Sequence, residues 1–257
     1  MTRMYFFALV LLMISSMLKT AYSCNLARSC KQIYKRSSSP VTGEYQLYTP
    51  NGTKFDVFCD FYDRHGYTFV SKEGLGVLTN LSQLFTNRSH VLVRINQTDG
   101  LQKDVKIAPH SQLKHKYPIS FQLSQAVGYS VPLNATMKPY IHLGLLPESY
   151  ERNQTALGYQ AAGEDITFIN CDSNPISYLA FLANPSSLLP NDYHKRCCKS
   201  NVVDAWIKKA TNTTSSRLLP EKYLYYLEMH MGDCDGYVSR DSFPKVAWAS
   251  VGFRFDL

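Results

Sequence analysis

The chain has 257 residues, 45% of them hydrophobic, 18% charged and 13% aromatic, with 13 Gly and 12 Pro. Those values exclude a collagen, a coiled coil, a disordered tail and a polytopic membrane protein. Its 27 Lys and Arg against 20 Asp and Glu leave a formal charge of +7, an excess that tolerates anionic partners without indicating nucleic acid.

Residues 1–23 read as a signal peptide. Arg3 precedes an apolar run from Met4 to Ile14, and Ala21-Tyr22-Ser23 places small residues before a cleavage that makes Cys24 the first mature residue. The run is about half the roughly 20 residues a spanning helix needs, so no membrane span is expected, and the localisation read from the sequence is secreted and extracellular. Seven sequons agree with that route: Asn51, Asn80, Asn87, Asn96, Asn134, Asn153 and Asn212 each lie two residues before Ser or Thr. A chain with 13 Asn would hold roughly two such sites by chance. The excess predicts a glycoprotein with many loops in water.

In an oxidising compartment, the seven cysteines read as disulfides before metal ligands. Cys30 and Cys59 lie far along the chain from the later cluster of four and are paired with each other. Cys171, Cys197, Cys198 and Cys234 then make two bridges, either 171 to 197 with 198 to 234 or 171 to 198 with 197 to 234, because the adjacent pair bridges only with strain. Cys24 is left over. At a mobile chain end it is expected to form an interchain disulfide, giving a disulfide-linked homodimer, or to find a downstream cysteine instead.

After a loop at Ser37 to Pro40, Gly43 to Tyr48 and Lys54 to Cys59 alternate about the turn Pro50-Asn51-Gly52 and predict a hairpin. Val91 to Ile95 predicts a strand, Lys103 to Lys116 has no clean period, and Tyr140 to Leu145 and Asp165 to Asn170 predict further strands. A short helix is expected at Val202 to Ala210, with Val203, Trp206, Ile207 and Ala210 on one face. Period two returns in Tyr225, Leu227, Met229 and Met231, and again in Val251, Phe253, Phe255 and Leu257. The expected fold class is α+β, mostly β, with a small disulfide-stapled β subdomain over 24–75 followed by a larger β-rich, sandwich-like domain over 76–257.

The opening carries a resemblance. Ser29-Cys30-Lys31-Gln32-Ile33-Tyr34, Gly43-Glu44-Tyr45-Gln46-Leu47, Asn51-Gly52 and Phe55-Asp56-Val57-Phe58-Cys59-Asp60-Phe61 together resemble the first subdomain of fibrinogen C-terminal-like domains over about residues 28 to 72. The resemblance implies a Cys30 to Cys59 bridge, in agreement with the spacing. It breaks off at Gly66 to Lys72, where the family continues with a Gly-rich turn, a Trp and a Gln-Arg-Arg step, and the family's calcium loop and acetyl-group pocket have no counterpart further on. The Cys234-Asp235-Gly236-Tyr237 and Val251-Gly252-Phe253-Arg254-Phe255 segments are similar to the ends of secreted invertebrate proteins, some of them components of coral skeletal organic matrix.

Catalytic motifs are absent from the sequence. It has no G-x-S-x-G elbow, no H-E-x-x-H and no P-loop, and Gly74-Leu75-Gly76 lacks the third glycine of a dinucleotide fingerprint. His110 and His115 are spaced wrongly for one metal, and Asp233-Cys234-Asp235-Gly236 lacks the later acid of a calcium loop. No cofactor and no metal are expected. Two basic clusters stand out: His194, Lys195, Arg196 and Lys199 in a spacing suited to sulfated glycans, and Lys103, Lys106, Lys114, His115 and Lys116. Tyr223, Tyr225 and Tyr226 offer contact area of the kind recognition surfaces use. The function expected is that of a non-catalytic, secreted, N-glycosylated extracellular matrix or adhesion protein. Biomineralisation is a specific version, the partners are matrix components or glycans and not nucleic acid, and the alternative is a soluble glycan-binding defence lectin of the fibrinogen-related type.

Overall fold

The computed structural model describes residues 26–112, 120–124, 140–144, 156–169, 177–184, 201–231, 237–238 and 245–257. They form a mostly β structure with two antiparallel sheets and few helices. The larger sheet contains β1 (Gly43–Tyr48), β2 (Lys54–Phe61), β3 (His65–Val70), β4 (Val91–Gln97), β5 (Gln102–Pro109), β8 (Ala156–Ala161), β9 (Glu164–Ile169) and β14 (Val246–Asp256), ordered β1-β2-β3-β14-β4-β5-β8-β9, with the short β11 (Thr211–Asn212) also on β5. The smaller sheet runs β13-β12-β10-β7-β6, from β6 (Ser120–Ser124), β7 (Tyr140–Gly144), β10 (Ser177–Leu182), β12 (Tyr226–Met231) and β13 (Tyr237–Val238). Among the described residues, no helix is long and apolar enough to cross a membrane.

Strand alternation builds the core. On β4, Val91, Val93 and Ile95 are fully buried; beside them lie Val105 and Ile107 of β5 and Val251, Phe253 and Phe255 of β14. From the smaller sheet, Ile141, Leu143, Leu179, Phe181, Leu227 and Met229 join the same apolar cluster. Tyr225 ties the layers together: its backbone exchanges two hydrogen bonds with Ala249, and its hydroxyl donates to the Val70 carbonyl at 2.8 Å. Helix α1 (Cys30–Arg36) is fastened to β2 by the Cys30–Cys59 disulfide, and α2 (Lys72–Leu75) with Leu78, Leu81 and Leu84 continues the core beside β2 and β14. Helix α3 (Asn201–Lys209) buries Val203, Trp206 and Ile207, the face its sequence period selects.

The boundary expected after residue 75 falls within a continuous sheet. The last strand, β14, lies between β3 of the opening segment and β4 of the remainder, with Phe253 opposite both Thr68 and Val91. The expected hairpin is β1–β2, and the segment without a clean period contains β5. Its alternation sends Lys103 to one face, where its ammonium donates to the Ile207 carbonyl at 3.0 Å, and exposed Lys106 to the other. These two lysines therefore do not form one cluster. Lys114, His115 and Lys116 lie outside the described residues.

Candidate functional site

The face of the larger sheet turned away from the core is covered by residues 213–224. Backbone glycine makes the first part of this arrangement possible. At Gly252 a Cβ would stand 2.6 Å from Phe69 Cζ, so the ring of β3 occupies space that any other residue on β14 would fill. The Arg94 guanidinium lies 4.8 Å from that ring, and reaches Asp60 across the strands between them.

Arg94 and Asp60 are fully buried and Asp104 nearly so. Arg94 Nε donates to Asp104 Oδ1 at 2.6 Å, and its Nη2 donates to Asp60 Oδ2 at 2.8 Å and Asp104 Oδ2 at 3.1 Å. Arg217, on the covering segment, donates through Nε to Asp60 Oδ1 at 2.8 Å and through Nη2 to Asp60 Oδ2 at 2.8 Å and Asp104 Oδ2 at 3.1 Å. The Thr213 hydroxyl adds a bond to Asp104 Oδ1 at 3.1 Å. Two guanidinium groups meet two carboxylates, all four carboxylate oxygens have donors, and the cluster carries no net charge. Burial alone would lower the pKa of Arg94, but hydrogen bonding to Asp104, followed by the charges of Asp104 and Asp60, holds it above its ordinary value. Such a set is built to hold the covering segment in place, because a buried charge is tolerated only when paired.

The segment is fixed at further points. Gln102 Nε2 donates to the Leu219 carbonyl at 2.8 Å and its Oε1 accepts from the Leu219 N–H at 2.8 Å, so one side chain satisfies both backbone groups. Leu219, Tyr223 and Leu224 pack with Phe58, Tyr67, Phe69 and Leu92. Tyr223 and Tyr225 are fully buried, which assigns them to packing; half-buried Tyr226 lies 4.4 Å from the Trp248 ring.

Beside the ionic cluster sits an imidazole whose tautomer follows from its partners. Arg254 Nη1, a donor only, lies 3.0 Å from His90 Nδ1, so Nδ1 accepts, the proton is on Nε2, and Nε2 donates to the Tyr67 hydroxyl at 2.8 Å. Burial pushes His90 down to about 3, with the charges of Lys106 and Arg254 acting in the same direction, and burial pushes Tyr67 up to about 12. His65 is also lowered, by burial first; its ring stacks 4.8 Å from Tyr62, and Arg217 lies 4.3 Å from Tyr62.

A Ser, His and Asp group also occurs, at the end of β5. The Ser111 hydroxyl donates to Asp165 Oδ2, and His110 Nδ1 accepts the Gln112 N–H at 3.1 Å. The hydroxyl is therefore held by the carboxylate and not by the imidazole, the reverse of the wiring that activates a nucleophile. No group of three metal-ligating side chains is found among the described residues.

Of the residues singled out in the sequence, Cys30 and Cys59 form the expected bridge. Cys24, Cys171, Cys197, Cys198 and Cys234, the sequons Asn134 and Asn153, and the cluster His194, Lys195, Arg196 and Lys199 lie outside the described residues. Asn51, Asn80 and Asn212 are exposed, at the β1–β2 turn, before a short 3-10 turn and on β11, whereas Asn87 and Asn96 are half-buried. The Asn87 Nδ2 donates to Asp256 Oδ2 at 2.8 Å. The sequence reading did not single out Arg94, Asp104 or Arg217, although one signal was present: a charged residue inside the apolar run Val91 to Ile95 must find a partner. Comparison with known proteins found no matching family model, no matching curated protein and no matching solved structure.

Proposed function

We propose that the chain is a secreted, N-glycosylated, non-catalytic matrix or adhesion protein, in which a fibrinogen-like opening serves as a structural module. The observation that carries this reading is the combination, on one side of the molecule's chemistry, of a buried disulfide between Cys30 and Cys59 and, on the other, of three sequon asparagines at exposed turns and an edge strand. A disulfide persists in an oxidising compartment, and a glycan needs an asparagine open to water. The neutral, fully bonded ionic cluster under residues 213–224 adds support, since it uses buried charge for holding.

Expression in a eukaryotic secretory cell line tests the reading. The protein is expected in the medium, with Cys30 linked to Cys59 and a mass that falls on enzymatic deglycosylation; extraction of the native source is expected to find it in the insoluble extracellular fraction. Retention in the cytosol with reduced cysteines would overturn the secretory part, and a freely soluble extracellular protein would overturn the matrix part.

A further inference from the structure

We propose that the exposed cations at the start and along the outer side of α1, Arg28, Lys31 and Lys35, bind a linear polyanionic polysaccharide bearing sulfate or carboxylate groups. The proposal rests on the matrix reading above and names its partner.

A step of four residues puts Lys31 and Lys35 on one side of the helix, and Arg28 enters just before the Ser29 cap; Arg28 and Lys35 are exposed with Lys31 partly so. The opposite side faces inward: Cys30 is fully buried in its disulfide, Ile33 and Tyr34 are partly buried, and the Tyr34 ring lies 5.5 Å from that of Phe61. The helix is closed at both ends, by the Ser29 side chain accepting the Gln32 N–H and by the Ser37 N–H bonding back to Ile33 and Tyr34. Its cations are therefore presented from a rigid base, which reduces the entropy lost on binding.

Residues 24–43 contain no Asp or Glu, and none of the three cations makes an ion pair among the described residues. Lys31 contributes to holding Asp256 below the usual carboxylate range, after Asn87 and Arg254, but that carboxylate is committed to Asn87 and Arg254. Helix electrostatics do not account for the placement either. Lys35 lies in the last turn, where cations are favoured, but Lys31 stands in the first turn and Arg28 just before the cap, at the positive end of the dipole, and that turn holds no acid of its own. A feature that opposes local stability without internal compensation points to an external ligand.

The chemistry of these cations selects among polyanions. Insertion of an amphipathic helix into a membrane and helix-in-groove recognition both use apolar anchors on the binding face, and the apolar residues of α1 are turned into the protein; purely electrostatic adsorption to an anionic membrane is separated by the vesicle arm of the test. A partner recognised by regularly spaced charge alone fits a sulfated or carboxylated glycan strand.

The test uses the full secreted protein and a size-defined heparin oligosaccharide, titrated at several salt concentrations. Wild type is expected to bind with an affinity that falls steeply with salt. Arg28→Gln/Lys31→Gln/Lys35→Gln is expected to weaken binding at low salt by about tenfold or more and to flatten the slope of log affinity against log salt by about two to three, one per lost contact. The control Lys54→Gln/Lys208→Gln should bind as wild type, and the thermal midpoint of the triple variant should be unchanged or higher because like charges have been removed. The proposal is overturned if the triple variant binds like wild type, if wild type does not bind, if loss instead follows Lys195→Gln/Arg196→Gln/Lys199→Gln, or if phosphatidylserine vesicles bind more tightly than the oligosaccharide. Glycan binding that survives in a protein absent from the insoluble matrix would leave this assignment standing and remove the matrix reading alone.

Discussion

Val93 and Arg94 are neighbours on β4, and both are fully buried, yet opposite chemistry buries them. Val93 belongs to the apolar core shared by the two sheets. Arg94 belongs to the other face of the same sheet, where two arginines and two aspartates neutralise one another under residues 213–224. The first face is non-directional and tolerates substitutions that keep volume. The second depends on donor geometry and fails as a unit when one partner is removed.

The largest expected effects compare the two faces directly. Phe253→Ala should lower stability by about 3–5 kcal/mol through a cavity in the shared core, and Arg94→Met by a similar amount, about 3–5 kcal/mol, through the buried carboxylates it leaves. What separates them is coupling. Adding Asp104→Leu to Arg94→Met should recover part of the loss, because the second change removes one stranded charge, whereas adding Val105→Ala to Phe253→Ala should deepen the damage. Denaturant unfolding of the single and double variants measures this, and simple additivity at the ionic face would break the comparison.

Smaller effects are expected where the covering segment is attached. Gln102→Leu leaves the Leu219 N–H and carbonyl without the bonds that one amide provides, at a cost of about 1–3 kcal/mol. Protease nicking within residues 213–224 should then quicken while the core remains resistant; unchanged nicking would mean that the ionic contacts of Arg217 and Thr213 and the packing of Leu219, Tyr223 and Leu224 hold the segment without that amide. Gly252→Ala should cost about 1–3 kcal/mol by overpacking. The added Cβ meets Phe69 Cζ at 2.6 Å, and that ring cannot swing freely because the Arg94 guanidinium lies 4.8 Å from it. The variant should therefore disturb the ionic face through an apolar contact, visible as a loss that Arg94→Met largely masks.

The same contrast explains how much the sequence disclosed. Inner-face residues such as Val251, Phe253 and Phe255 announce themselves by period two, as do Leu227 and Met229 of β12, and the helix at 201–209 shows its buried face by its spacing. Strand β5 was hidden because Lys103 shares the inner face with Val105 and Ile107 and leaves only two apolar residues to carry the period. The outer face was illegible for a deeper reason: its partners come from β2, β4, β5 and the 213–217 turn, up to 157 residues apart between Arg217 and Asp60. A polar residue in an alternating strand reads as solvent-facing until its neutralising partners are known.

An effect that appears only in acid lies at the border of the two chemistries, in the pH dependence carried by His90. Its pKa in the folded protein is lowered from 6.5 to about 3, by burial first and then by Lys106, Arg254 and His65, with Asp256 opposing. A lowered base binds fewer protons folded than unfolded across that interval, so stability falls as pH drops from about 6.5 towards 3 and levels off below. The lowered carboxylates Asp56, Asp165 and Asp256 act in the same direction, in the acid range of carboxylates, and His65 and His142 share the upper window. Isolating His90 therefore needs a variant and not a pH scan alone. Gln at position 90 can accept from Arg254 and donate to Tyr67, preserving both bonds without titrating in this range. His90→Gln should match wild type near pH 7 and lose less of its thermal midpoint on transfer to pH 4. Parallel curves for the two proteins would mean that His90 takes up as many protons folded as unfolded between those values, and would move the acid sensitivity of this border to His65 and His142.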